Sequence, residues 1–281
     1  MRATHAVCAN SVSTVTADRT AEPTALYRLV VPRFRVGVQL HPQATTATAL
    51  QGAWQAADGI GADSIWVWDH FFPLYGDPNE SHFECWSLLA AMAVTTRRAR
   101  FGAMVSCIGY RNPDLLTDMA RTIDHLSGGR LVLGLGAGWF ARDYEAYGYD
   151  FGSAGSRLDS LEQGLERIRQ RIPKLNPPPA GGLPILIGGG GERRTLKLVA
   201  QHAQLWNGIG EPEVLRRKNA VIDAWCEELG RDPDEIERTA LVPPDAEPEP
   251  YLDAGITHLI VMTGSPFDLA PVQRLLDLAG S

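Results

Sequence analysis

A chain of 281 residues is long enough for one large α/β domain or two smaller ones, and 44% hydrophobic with 21% charged residues is ordinary for a folded enzyme. The 26 basic and 33 acidic residues leave a formal charge of −7, which argues against non-specific nucleic-acid binding. Cys8, Cys85, Cys107 and Cys226 lie far apart without a CxxC spacing, so neither a disulfide framework nor a zinc site is expected, and a reducing compartment is.

The first 32 residues, rich in Thr, Ala and Ser, hold no apolar core of signal-peptide length, and no run in the chain nears the roughly 18 residues needed to cross a bilayer. A cytoplasmic protein without a membrane partner is expected, with residues 1–32 a weakly ordered extension and residues 33–281 the folded domain. FRVGVQL (34–40) reads as the first strand, followed by an Ala-rich helix to about Ile60. SIWVW (64–68) is the second strand, with a helix near Trp86–Val94, and ARFGAMVSC (99–107) is the third. The next helix is well marked: Asn112 suits its cap, Pro113 its first turn, and Ser127-Gly128-Gly129 its end. Leu115, Met119, Ile123 and Leu126 then fall on one helical face.

RLVLGLG (130–136) is the fourth strand, and Leu158, Leu161, Leu165, Ile168 and Ile172 line the next helix. PILIGG (184–189), LWNGI (205–209), ERTALV (237–242) and THLIVM (257–262) are strands five to eight. Between them run helices from Glu192 to His202 and through Val221, Trp225 and Leu229; a last one carries Leu269, Val272, Leu275 and Leu276. Eight strand–helix alternations predict a parallel sheet under helices, best met by a (β/α)₈ barrel (TIM barrel) with an insertion after strand four. A doubly wound sheet is the alternative. The Pro-rich stretches 173–184 and 243–250 read as long connections within it rather than as linkers between domains.

In such a barrel the active site lies at the carboxyl ends of the strands. That places His41, Asp69, His70, Ser106, Cys107, Ala137, Gly138, Trp139, Gly188 to Gly191, Trp206 and Asn207 near it. Asp69 and His70 are either a capped turn with a packed imidazole or a group able to move a proton near neutral pH. No metal is expected, since no HxH stands at a strand end. IGGGGERRTL (187–196), with Gly188, Gly189, Gly190 and Gly191, is a strand, a glycine turn and a helix start, the form of a phosphate cradle. GLGAGW (134–139), with Gly136, Ala137 and Gly138, is a weaker signal of the same kind, because the further glycine and the acidic residue of a dinucleotide site are missing. Trp139, Tyr144, Tyr147 and Tyr149 follow strand four, where they either pack or wall a flat ring.

The segments DSIWVWDHFFP, FGAMVSCIGYRNPDLLTDMARTIDHLSGGRLVLGLGAGW, RDYEAYGYDF and ILIGGGGERRTLKLVAQHAQLWNG together resemble the luciferase-like monooxygenase superfamily, and within it the deazaflavin oxidoreductases that use coenzyme F-420. The resemblance runs from about Phe34 to the end. It implies a (β/α)₈ barrel with the deazaflavin across the strand ends and hydride transfer at its central ring. Asp69 would contact the deazaflavin, and His70 would donate or accept a proton at the reaction centre. Met104, Val105 and Ser106 would press on one ring face, where members often carry a non-proline cis peptide. Gly136 to Gly138 and Gly188 to Gly191 would hold the cofactor, the latter its phosphate region through backbone N–H groups.

The substrate pocket would be formed by His41, Leu74, Trp139, Tyr144 and Asn207. Relatives that oxidise sugar phosphates carry Trp where Leu74 stands, Glu where Trp139 stands, and Lys after strand six where Asn207-Gly208-Ile209-Gly210 stands, so a different small-molecule substrate is expected. Flavin-using members carry an arginine near Ala137 that is absent here, which favours the deazaflavin over FMN. A homodimer is expected. Competing readings are an FMN-dependent monooxygenase using oxygen, a non-catalytic cofactor-binding protein, and a metal-dependent hydrolase.

Overall fold

The computed structural model describes residues 32–280. The expected extension, residues 1–32, lies outside these apart from Pro32. Eight strands run among the described residues: β1 (Arg35–Leu40), β2 (Ser64–Asp69), β3 (Arg100–Cys107), β4 (Leu131–Gly136), β5 (Ile185–Gly188), β6 (Leu205–Ile209), β7 (Glu237–Val242) and β8 (His258–Thr263). They pair in parallel in chain order, and β8 returns to β1 with Arg35 opposite His258 and Leu40 opposite Thr263. The ring closes into the (β/α)₈ barrel, which rules out the doubly wound sheet.

The strand sequences explain the closure. Every residue of β2 is buried, because a barrel strand faces the interior on one side and helices on the other. Trp66 turns inward to Met104, Val132, Leu186, Leu205 and Ile260, which fill the barrel. Ile65 and Val67 turn outward into the layer shared with helix residues such as Leu50, Trp54 and Leu89. Those helices are α1 (Ala47–Ile60), α2 (Cys85–Thr95), α3 (Pro113–Ser127), α5 (Ala154–Arg171), α6 (Thr195–His202), α7 (Pro212–Leu229) and α9 (Ala270–Ala279). The short helix α4 (Ala141–Tyr147) occupies the connection after β4, the site of the expected insertion. The Pro-rich stretches run from α5 to β5 and from β7 into the short α8 (Pro248–Asp253).

The start of α3 forms as its sequence predicts: Asn112 Oδ1 accepts from the Asp114 N–H at 2.9 Å, and Gly128 closes the helix at a φ of 69°. Its buried face differs from the expected one. Leu116, Ala120 and Ile123 are buried, whereas Leu115 and Leu126 are 57% and 52% exposed. The helix has two neighbouring apolar stripes, and the spacing of apolar residues does not say which one the barrel covers. The same shift occurs on α7, where Leu215, Ile222 and Cys226 are buried and Leu229 is exposed. Residues 192–194, expected as helix, form a turn in which the Leu196 N–H reaches the Gly191 carbonyl at 3.0 Å.

The alternation of β3 breaks near its carboxyl end. Register shifts occur against β2 between Val67 and Asp69 and against β4 between Gly102 and Ser106. The Met104–Val105 peptide is cis, and Met104 and Val105 both pack against the residues that fill the barrel. The Gln39 side chain donates to the Met104 carbonyl at 2.8 Å, tying this irregular segment to β1.

Candidate active site

Asp69 and His70 leave β2 together and then part. His70 turns toward α4, where its Nδ1 lies 2.6 Å from Asp143 Oδ2. Asp143 is fully buried in the first turn of α4 and accepts two further hydrogen bonds, from the Tyr110 hydroxyl at 2.7 Å and the Phe71 N–H at 3.0 Å. Three donors satisfy a carboxylate that water does not reach. Nδ1 is thereby engaged, while Nε2 makes no hydrogen bond among the described residues and the ring lines a cavity. Trp139 and Phe140 meet the imidazole edge-on, with ring centroids 5.7 and 5.5 Å away.

Asp69 turns the other way and is paired by Arg111 through both oxygens, Nη1 to Oδ2 at 2.5 Å and Nη2 to Oδ1 at 3.2 Å. Arg111 also holds Glu84 at 2.7 Å. Burial pushes the Asp69 carboxyl up and Arg111 pulls against it. A guanidinium does not give up its proton, and its forked contact keeps the pair ionised. The two neighbours in sequence therefore do different work: Asp69 locks a strand end, and His70 faces open space.

That space is a cavity of about 380 Å³ at the carboxyl end of the barrel. Asp69, His70, Leu74, Met104, Val105 and Asn207 line it, together with Trp139 and the glycine-rich ends of β4 and β5 from Gly136 to Gly138 and Gly188 to Gly189. Several residues singled out from the sequence stand apart from that lining. The Ser106 Oγ accepts from Trp86 Nε1 at 2.9 Å behind Asp69. His41 packs at a tilt against Trp68 with centroids 4.5 Å apart, and burial pushes its imidazole down to about 4. Gly190 and Gly191 continue the turn beyond the lining glycines.

Tyr144 also stands apart from the lining. Its hydroxyl lies 2.8 Å from the Cys107 Sγ in a buried cluster with Tyr110, and burial pushes its phenol up. It follows Asp143 on α4, so once Asp143 faces His70 the ring is carried into the connection.

Arg111, Asp143 and Gln39 were not singled out in the sequence. Asp143 stands within RDYEAYGYDF, and Arg111 directly before the Asn112-Pro113 helix start. Nothing in either segment names a partner 73 or 42 residues away.

The cavity suits a flat heteroaromatic ring carrying a phosphate. Val105 is partly exposed within β3 and stands between two glycines, where an added Cβ at Gly136 or Gly188 would come within 2.6 or 2.9 Å of its methyl groups. The wall is otherwise mostly apolar, from Trp68, Leu74, Met104, Ile209, Leu241 and Met262, with Gln39 and Thr195 among them. Its polar groups are few, as in small-molecule sites generally. Asn207 Oδ1 accepts from the Thr239 hydroxyl at 2.9 Å, which leaves its amide donors for the cavity. At the neighbouring turn, Trp206 Nε1 and Lys218 Nζ bond the carbonyls of Gly189 and Gly190 at 2.8 and 2.6 Å. The N–H groups of Gly190 and Gly191 have no acceptor among the described residues, the state in which a glycine turn binds phosphate.

A closed parallel barrel with an imidazole, a glycine turn and an apolar cavity at its carboxyl end has the layout of a (β/α)₈ enzyme. The chain belongs to the luciferase-like monooxygenase family, whose model matches residues 28–247. It is 30% identical over 203 residues to an uncharacterised protein of Mycobacterium tuberculosis, covering 67% of this chain and 70% of that one. It is 31% identical over 117 residues to the F420-dependent glucose-6-phosphate dehydrogenase of Amycolatopsis mediterranei, covering 41% of this chain and 34% of that one. In fold it resembles an F420-dependent secondary alcohol dehydrogenase in complex with an F420-acetone adduct, at a TM-score of 0.76 and 17% identity, covering 86% of this chain and 96% of that one. Among the described residues no helix is long and apolar enough to cross a membrane, and no three metal-ligating side chains cluster.

Proposed function

We propose that this chain is a deazaflavin (coenzyme F-420)-dependent oxidoreductase that moves a hydride between the cofactor and a small organic substrate. One observation carries the reading: a buried carboxylate fixes Nδ1 of His70, while Nε2 faces the cavity without a partner. The deazaflavin supplies the hydride chemistry. Asp143 holds the proton of His70 on Nδ1, so Nε2 is the nitrogen that takes a proton from a substrate oxygen or, from the imidazolium, returns one. Val105 and the glycines on either side of it support one face of the ring, the amides of Gly190 and Gly191 bind the phosphate region, and Asn207 donates to a polar ring edge. Asp69, tied to Arg111, holds the end of β2 in place beside the ring rather than exchanging protons. Trp139 and Phe140 against the imidazole keep water from its edge.

The second reading, an FMN-dependent monooxygenase using oxygen, is favoured by the family's own description. Fluorescence titration of the protein with the oxidised deazaflavin and with FMN separates the two. The expected result is clear preference for the deazaflavin; tighter binding of FMN moves the reading to the monooxygenase. Bound reduced deazaflavin that never turns over with any substrate makes the protein a cofactor carrier instead. The exposed Leu115 and Leu126 on α3 and Val94 on α2 support a homodimer, which sedimentation would register as twice the chain mass.

A further inference from the structure

We infer that the substrate of this site is uncharged and carries an apolar tail that runs out of the cavity over its rim. The inference rests on the redox reading above only for the position of the substrate oxygen, at His70 Nε2. Its own ground is the chemistry of the cavity mouth. No lysine or arginine lines the cavity, and its one carboxylate, Asp69, is already neutralised by Arg111. A phosphate or carboxylate on the substrate would therefore lose its hydration at this wall without meeting a permanent counter-charge, an outcome that disfavours binding.

The rim itself is greasy. Tyr75, Trp139 and Ile209 all line the cavity and are 55%, 64% and 70% exposed. Scattered apolar residues on a surface need no explanation, but three large ones around one opening form a patch of the kind that marks a ligand site. They come from three separate connections, after β2, after β4 and at the end of β6, and the barrel brings them together. Inside, Leu74, Leu241 and Met262 continue the same apolar surface downward. Among its few polar lining residues, which include Gln39 and Thr195, His70 and Asn207 offer groups that an alcohol or carbonyl oxygen can meet. The pattern is an oxygen-bearing head held at depth and a hydrocarbon tail laid across Trp139 and Ile209.

The test is a binding series read without turnover. Methyl ketones of four, six, eight and ten carbons are titrated into the full chain, with and without saturating oxidised deazaflavin, and followed by tryptophan fluorescence and calorimetry. Octanoate and glycerol phosphate serve as charged probes. Affinity is expected to rise about fourfold per methylene through at least eight carbons, the value of burying each CH₂. Both charged probes are expected to bind at least about 100-fold more weakly than the eight-carbon ketone. The double variant Trp139→Ala, Ile209→Ala, altered only at exposed positions and checked for an unchanged melting temperature, should flatten the series beyond six carbons.

Affinity independent of chain length, an unaltered series in the double variant, or charged probes that match the ketone would each overturn the inference. Deazaflavin affinity, measured in parallel, keeps the two proposals apart. A flat series with normal deazaflavin binding removes the apolar substrate and leaves the redox reading, whereas a steep series without deazaflavin binding does the reverse.

Discussion

Two histidines sit at opposite ends of this barrel, each within 2.7 Å of a carboxylate, and they are built for different ends. At the amino end, His258 Nδ1 meets Glu237 at 2.7 Å, and its Nε2 meets Ser64 Oγ at 2.8 Å. Ser64 accepts from Trp66 Nε1 at 2.7 Å, and Glu237 also binds Arg100 and Arg35. His258 is completely buried with both nitrogens satisfied. At the carboxyl end, His70 has the same kind of carboxylate on Nδ1 but opens Nε2 to a cavity. An imidazole–carboxylate pair is therefore no sign of chemistry by itself. What the second nitrogen faces separates a plug from an imidazole with a free nitrogen at a cavity.

Substituting each histidine breaks the comparison most directly. His70→Ala should fold, bind the deazaflavin, and lose roughly 10²–10⁴ in single-turnover hydride transfer, the usual worth of a positioned acid or base. Normal transfer with only a lower melting temperature would make it a packed residue like its counterpart. His258→Ala should do the opposite. It opens a hole at the barrel floor and strips a partner from Glu237, for a loss of about 3–4 kcal/mol in denaturant unfolding with cofactor affinity retained in the folded fraction.

Acid should find the two ends at different pH. Burial alone would raise Glu237, yet the His258 hydrogen bond and Arg100 bring it down to about 2. A carboxyl depressed in the folded state contributes stability above its unfolded value near 4.5, and that contribution, about 3 kcal/mol, is lost as pH falls from there toward 2. Near the cavity, burial holds His41 and His82 at about 4. Both are neutral in the fold but protonate when unfolded at about 6.5, so their share of stability is lost between pH 6.5 and 4. Melting temperature against pH should thus fall in two stages, the second of them removed in Glu237→Gln. A single step that survives this substitution would show that the floor cluster carries no such linkage.

The smallest effect sharpens the plug. A Cβ at Gly37 would stand 2.3 Å from Ser64 Oγ and 3.0 Å from His258 Nε2. Gly37→Ala should cost about 1–3 kcal/mol by forcing that chain of hydrogen bonds apart, with deazaflavin affinity within about twofold. An equal loss of cofactor binding would mean that the floor is coupled to the site across the barrel.

Local chemistry made most of the barrel legible. Strands β6 and β7 run over LWNGI and ERTALV as expected, because runs of apolar and β-branched residues between turns have few other uses. The Asn112-Pro113 start and Gly128 end of α3 follow from caps that act within four residues. The faces of α3 and α7 were not legible, since two apolar stripes compete and only the barrel chooses between them. At the site, the position of His70 at a strand end was readable, and so was the glycine turn. The partners were not: a carboxylate near aromatics in α4 and an arginine before a helix carry no mark of the residues they will meet.

The amino-acid sequence by itself thus determined the number and order of the strands, the ends of α3, and which residues stand at the strand ends. Those properties come from burial periodicity and from hydrogen bonds between near neighbours in the chain, which any window of a dozen residues contains. Only the tertiary structure decided that Asp69 belongs to Arg111, that His70 belongs to Asp143, and that His258 is closed off where His70 is open. Those choices depend on which side chains the closed ring brings within about 3 Å. Residues 21 to 194 apart in sequence meet there because strand tilt and helix packing place them together, a constraint that exists only once the barrel has closed.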